Sequence, residues 1–170
     1  RFLITHARGT VKSLGERISK CGAEVFHERL QEQMPEDLRS ALEPVMRSIE
    51  DLTVRIRHYD KQIAQMGSEK YPTTKVLREI AGVGPVTALA FVLTLEDPWR
   101  FAKSRSVGAY LGLRPRHRDS GGQRPQLRIT KAGDVLLRCL LVSAAQYILG
   151  PFGPDTDLRR FGLRLAEHGG

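Results

Sequence analysis

Apolar residues recur at alternating spacings of three and four along most of the chain, which marks helices with one buried stripe; strands would alternate with period two. In residues 1–30 the stripe runs through Ile4, Ala7, Val11, Leu14, Ile18, Cys21 and Val25. It predicts a helix weakened by Gly9, Gly15 and Gly22, since each interior glycine costs about 1 kcal/mol relative to alanine. Such a helix needs a packing partner. Met34-Pro35 then punctuates the chain, and Pro35 with Glu36 and Asp37 makes a good helix start, with proline in the first turn and acids at the positive end of the dipole. From Leu38 the pattern sharpens into Leu38, Leu42, Val45, Ile49, Leu52, Ile56, Tyr59, Ile63 and Met66. With Leu42, Ile49, Ile56 and Ile63 at heptad position a, this predicts a coiled-coil arm over residues 35–70. Two partners satisfy the seam equally: the stripe of residues 4–25 folded back as a hairpin, or a second copy of the chain. Pro44, at an outward position, predicts a kink or a later helix start, and Gly67-Ser68 predicts the arm's end.

Residues 71–170 read as a compact helical domain. Thr73 or Thr74 can cap a short helix carrying Val76, Leu77 and Ile80. Gly82-Val83-Gly84-Pro85 then forms a tight turn with proline at the first position of the next helix, which runs to Leu95. This resembles a helix-hairpin-helix, whose glycine turn and second-helix amides grip a DNA phosphate without reading bases; a helical hairpin with no ligand is the plainer reading. Trp99 and Phe101 are expected to cover the core edge, with base stacking beside Arg100 and Lys103 as the alternative. Ser104 or Ser106 can cap a helix closed by Gly112, and Asp134 can cap a long apolar helix over Val135–Leu149. Asp157 to Ala166 reads as a last helix. No strand pattern persists, so the expected class is all-α: a long coiled-coil arm, then a compact helical domain containing the helix-hairpin-helix.

Charge changes this picture in one region. The formal net charge is +8 and the pI about 9.9, with 12 basic and 11 acidic residues in positions 1–70 against 15 and 8 in positions 71–170. The excess lies in the compact domain and points to an anionic partner, nucleic acid above all. It concentrates in residues 114–131, where Arg114, Arg116, Arg118, Arg124, Arg128 and Lys131 face one acid, Asp119, around Ser120-Gly121-Gly122. Guanidinium groups bind phosphate oxygens bidentately, and glycines let a polyanion approach backbone amides. The first turn of the Val135 helix adds amides that can converge with Lys131 on one phosphate. Ser-Gly-Gly is also ordinary turn chemistry. Cys21 and Cys139 have no metal-binding spacing and read as free thiols of a reducing compartment. With neither a membrane-spanning run nor a signal peptide, the expected location is the cytoplasm. A chain opening on Arg1 is expected to be a piece of a longer protein.

Four motifs occur in order: Leu77-Arg78-Glu79-Ile80-Ala81-Gly82-Val83-Gly84-Pro85; Ala109-Tyr110-Leu111-Gly112-Leu113-Arg114-Pro115-Arg116; Ser120-Gly121-Gly122; and Ile129-Thr130-Lys131-Ala132-Gly133-Asp134 with Leu137-Arg138. Together they resemble the C-terminal part of the insertion-sequence one-ten (IS-one-ten) transposases, also described as bridge-RNA-guided serine recombinases, over about residues 75–168. The resemblance implies three regions: residues 1–34 as the end of a RuvC-like domain, 35–70 as a coiled coil, and 71–170 as the serine-bearing transposase domain. It implies Ser120 as nucleophile for strand cleavage and rejoining through a phosphoserine link. Gly82, Gly84, Thr87, Arg114, Arg116, Arg118, Arg124, Arg128 and Lys131 are the phosphate-binding candidates. No metal ligand is expected in this chain; Mg²⁺ is implied through acids of the RuvC-like domain, which have no counterpart here, and the fragment alone is expected to be inactive. DNA, a structured guide RNA and further copies of the chain are the implied partners. A non-catalytic DNA-binding module and a coiled-coil assembly adaptor are the competing readings.

Overall fold

A computed structural model describes residues 1–118 and 127–168. Its secondary structure is helical throughout, with no named strand among the described residues. It divides into two compact units, Arg1–Lys61 and Gln62–Gly170.

In the first unit the expected N-terminal helix is broken in two. Helix α1 (Phe2–Ser13) ends where Gly15 adopts φ +84°, a left-handed conformation open to glycine at little cost. A 3-10 turn (Ala23–Val25) leads into α2 (Phe26–Gln33), and α3 (Glu36–Lys70) follows, its first amides served by Leu38 N–H donating to Pro35. The helix continues through the exposed Pro44, so the expected later start does not occur. It also extends past Gly67-Ser68 to Lys70. The core joins Ala7 and Val11 of α1, Ile18, Phe26 and Leu30 of α2, Met34, and Leu42 and Ile49 of α3, with Leu38 and Val45 packed against it. Phe26 and Leu30 are fully buried, each contributing about 1.5–3 kcal/mol. Arg8 ties the break to α1: its guanidinium lies 4.9 Å over the Phe26 ring and donates to Ile18 O at 3.0 Å. The seam of α3 is thus divided. Its first half is covered by the chain folding back on itself, whereas Leu52, Ile56, Tyr59 and Met66 are exposed.

The second unit holds α4 (Thr73–Arg78), α5 (Pro85–Leu95), a 3-10 turn (Pro98–Arg100), α6 (Ser104–Tyr110), α7 (Val135–Leu149) and α8 (Asp157–His168). Helix α4 packs on α5, α5 on α7, and α7 on α8, so α7 is central, as its apolar sequence implied. Neither Thr73 nor Thr74 caps α4; Pro72 holds that position, and the Thr74 hydroxyl bonds to Gly67 O and Tyr71 O at 2.9 and 2.8 Å. Lys103, not a serine, precedes α6, which has no side-chain cap. Arg159 of α8 donates to the carbonyls of Ile148 and Gly150, placing a cation at the negative end of α7. One expectation is overturned outright: Trp99 is 90% exposed and covers no core. Phe101 is half-buried and meets the Tyr110 ring edge-on, with 5.4 Å between centroids. Among the described residues no helix is long and apolar enough to cross a membrane.

Candidate nucleic-acid interface

The turn between α4 and α5 is built by glycine for two distinct reasons. Gly82 has φ +86°, and a Cβ there would lie 3.0 Å from Tyr147 Cδ1 and 3.2 Å from Ala144 O, so the residue is required by conformation and by the close approach of α7. Gly84 is extended and has open space at its Cα. It serves as N-cap of α5 with no side chain over the helix end, and its carbonyl takes Ala88 N–H at 3.0 Å. Pro85 has no N–H, and the Val86 and Thr87 amides of the first turn are left without an intrahelical acceptor. Beside this helix start lies a cavity of about 550 Å³ lined by Arg78, Gly82, Gly84, Thr87, Ser143 and Tyr147, among others. Thr87 is 8% exposed and lines that cavity. A helix N-terminus, its first-turn amides and a guanidinium are together suited to a phosphate-sized anion.

The start of α7 differs. Asp134 caps it, accepting from Leu137 N–H at 2.6 Å. The expected cap is therefore present, but its carboxylate takes one of the amides and places negative charge where the phosphate was expected to converge with Lys131. Of these two helix starts, α5 is the one open to an anion.

The basic segment is closed by a stem that the hydrophobic pattern did not reveal. Lys131 N–H donates to Gly112 O (3.0 Å), Thr130 N–H to Arg114 O (2.9 Å) and Arg116 N–H to Arg128 O (3.0 Å), while Pro115 and Ile129 form an antiparallel bridge. Gly112 (φ +70°) and Gly133 (φ +75°) allow this approach; a Cβ on the first would run into the Ala132 backbone, and on the second into Tyr110 O. Lys131 adopts φ +60°, a conformation costly for a side chain with a Cβ. Beneath the stem lies Arg138 of α7, 8% exposed. Its Nη1 donates to Leu111 O at 3.1 Å and Ala132 O at 2.8 Å. One buried guanidinium therefore holds both ends of the stem. Sequence reasoning quoted Arg138 as part of a motif without assigning it a task; the available signal was a lone cation inside the apolar run Val135–Leu149.

The exposed cations divide between two depressions. Arg116, His117, Arg118, Leu127 and Arg128 line one of about 630 Å³. Arg114 lies instead in a cleft of about 570 Å³ with Ser104, Arg105 and Gly108. Ser120, with Asp119, Gly121, Gly122 and Arg124, lies outside the described residues. The stem nevertheless brings Arg114, Arg116, Arg128 and Lys131 to the two ends of the segment that carries it.

A family model described as "Transposase IS116/IS110/IS902 family" matches residues 74–157, the stretch from the glycine hairpin through the stem, Ser120 and α7. These residues place the chain in the IS116/IS110/IS902 transposase family. The match agrees with the resemblance seen over residues 75–168. The chain is 29% identical over 168 residues to a "Transposase for insertion sequence element IS1111A" of Coxiella burnetii, covering 95% of this chain and 46% of that one. It is 30% identical over 126 residues to a "Probable family 20 transposase" of Pseudomonas aeruginosa, covering 74% and 37%. A "Transposase for insertion sequence element IS1328" of Yersinia enterocolitica is 39% identical over 74 residues, 44% of this chain and 22% of that one. The chain thus spans less than half the length of each of these relatives.

Proposed function

We propose that this chain is the DNA-handling part of a transposase, with Ser120 as its nucleophile. The observation that carries the reading is the family match over residues 74–157 falling on a structure in which a hydrogen-bonded stem brings four cations to the ends of the Ser120 segment. In the proposed reaction the Ser120 Oγ attacks a backbone phosphorus. An Oγ–P bond forms as a P–O bond to the sugar breaks, and the leaving sugar oxygen takes up a proton. A phosphoester is traded for a phosphoester, so the bond energy is kept for rejoining and no nucleotide triphosphate is consumed. Arg116, Arg118, Arg124, Arg128 and Lys131 would neutralise charge on the phosphoryl oxygens. The glycine hairpin, acting as a helix-hairpin-helix, would hold a neighbouring backbone phosphate through the Val86 and Thr87 amides.

Among the described residues no three His, Cys, Asp or Glu side chains come together as a metal set, so no step here runs through Mg²⁺. On this reading the acids that hold it belong to a RuvC-like domain, of which residues 1–34 are the end. DNA is the substrate, a structured guide RNA a further partner, a second copy of the chain the partner of the α3 seam, and the cytoplasm the site of action.

The test is a covalent DNA–protein adduct formed by a full-length protein containing this segment. Ser120→Ala should abolish the adduct while DNA binding stays nearly unchanged, because the attacking atom is lost and no positive charge is. The segment alone should cleave little. Adduct formation by the Ala variant, or peptide mapping of the link to Ser104, Ser106 or Tyr110, would overturn the assignment in favour of another nucleophile. Failure to form an adduct in the unmodified protein would favour a non-catalytic clamp.

A further inference from the structure

We infer that Trp99 is a stacking platform for an unpaired nucleobase, an inference that rests on the nucleic-acid binding proposed above. Its indole is 90% exposed, although burying it would gain more than burying almost any other side chain. The indole is also held on a firm base. Pro98 restricts the backbone on one side, Asp97 Oδ1 accepts from Trp99 N–H at 2.8 Å, and Phe101 N–H closes the turn on Pro98 O at 3.3 Å. A platform fixed in this way loses little freedom when a flat ligand covers it.

The surroundings select the ligand. The Arg100 guanidinium, next in sequence to Trp99, lies 4.9 Å from the Phe101 ring and 4.7 Å from the Tyr110 ring, so it is held over those rings while remaining exposed. Lys103 and Arg105 follow, both exposed, and Arg105 shares its cleft with Arg114. No ion pair engages these four cations among the described residues. Asp97 spends a carboxylate oxygen on the turn, leaving Glu96 as the other nearby acid. A protein partner would require an apolar patch around the aromatic anchor. Here the exposed indole is followed in the chain by exposed cations, the combination that takes a polyanionic strand with bases to stack. Bases within a duplex already stack on each other, so the available ring face belongs to an unpaired one. DNA and RNA bases present the same face, and the sugar distinguishes their source.

Trp99 is the chain's only tryptophan, so intrinsic emission reports on this one position. The 170-residue chain is titrated with a labelled single-stranded DNA, the RNA of the same sequence, and the blunt DNA duplex, following binding by anisotropy and the indole by its emission. Single strands should quench the emission saturably with the same midpoint as the anisotropy. Trp99→Ala should weaken single-strand binding about 5- to 150-fold, the range expected for losing one base–aromatic stack. Trp99→Phe should keep most of the affinity. The dependence on salt should be the same in all three proteins, because no cation is removed. Quenching by RNA alone or DNA alone assigns the source. Anisotropic binding with unchanged emission, quenching by the duplex alone, or full affinity in Trp99→Ala would overturn the inference while leaving nucleic-acid binding intact. Absence of binding to every probe would overturn both.

Discussion

At the scale of single residues, Arg138 explains how a helix and a pair of loop strands become one object. A charged side chain in an apolar helix is costly unless its donors are satisfied, and here they are satisfied by two backbone carbonyls on opposite arms of the stem. Arg138→Met preserves much of the side chain's bulk and removes both donors. Unfolding by urea should show a loss of about 2–4 kcal/mol, whereas an unchanged midpoint would mean that the stem is held by its own hydrogen bonds. Lys131 illustrates the opposite economy. Its φ of +60° would suit glycine or asparagine better, so the strain is tolerated where the chain carries an ammonium at the end of the basic segment.

Among the elements, on the proposed function the stem and the glycine hairpin would divide the work of holding a polyanion. The hairpin offers fixed backbone amides and needs no long side chain; the stem presents flexible guanidinium groups. Replacing Arg116 and Arg128 together with alanine should therefore act on charge more than on fold, since both are exposed and their pairing in the stem uses backbone groups. If each neutralises one phosphate, the slope of log affinity against log salt should flatten by about 1.8. A filter-binding series over salt measures this, and an unchanged slope would place the DNA-facing cations elsewhere. Helix α3 corrects a different expectation. Ile49, outwardly equivalent to Ile56 in the heptad, is buried in the first unit's core, while Ile56 is 59% exposed, so a polar residue at Ile49 would test folding and not association.

For the whole molecule, that open half of the seam decides how copies of the chain would meet. Ile49, Leu52 and Ile56 of α3 border a cavity of about 530 Å³ together with Leu3, Ile4 and Ala23, and a β-branched a position with Leu at d favours a second helix there. Ile56→Lys should lower the assembly state in sedimentation velocity while leaving the helical content unchanged. A wild-type chain that is monomeric at every concentration tested would reject self-association through the seam. The outcome also separates the transposase reading from an assembly adaptor, because removing residues 1–61 should leave DNA binding with the second unit in the first case and abolish it in the second.

What the sequence by itself determined was local. Periods of three and four gave the helices their class, Gly84-Pro85 set the start of α5, and Asp134 the start of α7, because each depends on a few neighbouring side chains and backbone groups. The four ordered motifs were legible for the same reason, and with them the family. Tertiary structure decided everything that depends on distant partners. Gly15 ended α1 and let residues 26–34 enter the core, which the apolar stripe alone could not distinguish from a continuing helix. The stem between residues 112–116 and 128–131 joins two segments that have no alternating pattern, since backbone hydrogen bonds and glycine contacts hold it, not a buried face. Trp99 was expected to cover the core edge because an indole is mostly apolar, yet whether it finds a surface to cover depends on what packs nearby. Arg138 was legible as an oddity and became a support only when the fold brought Leu111 and Ala132 to the same guanidinium.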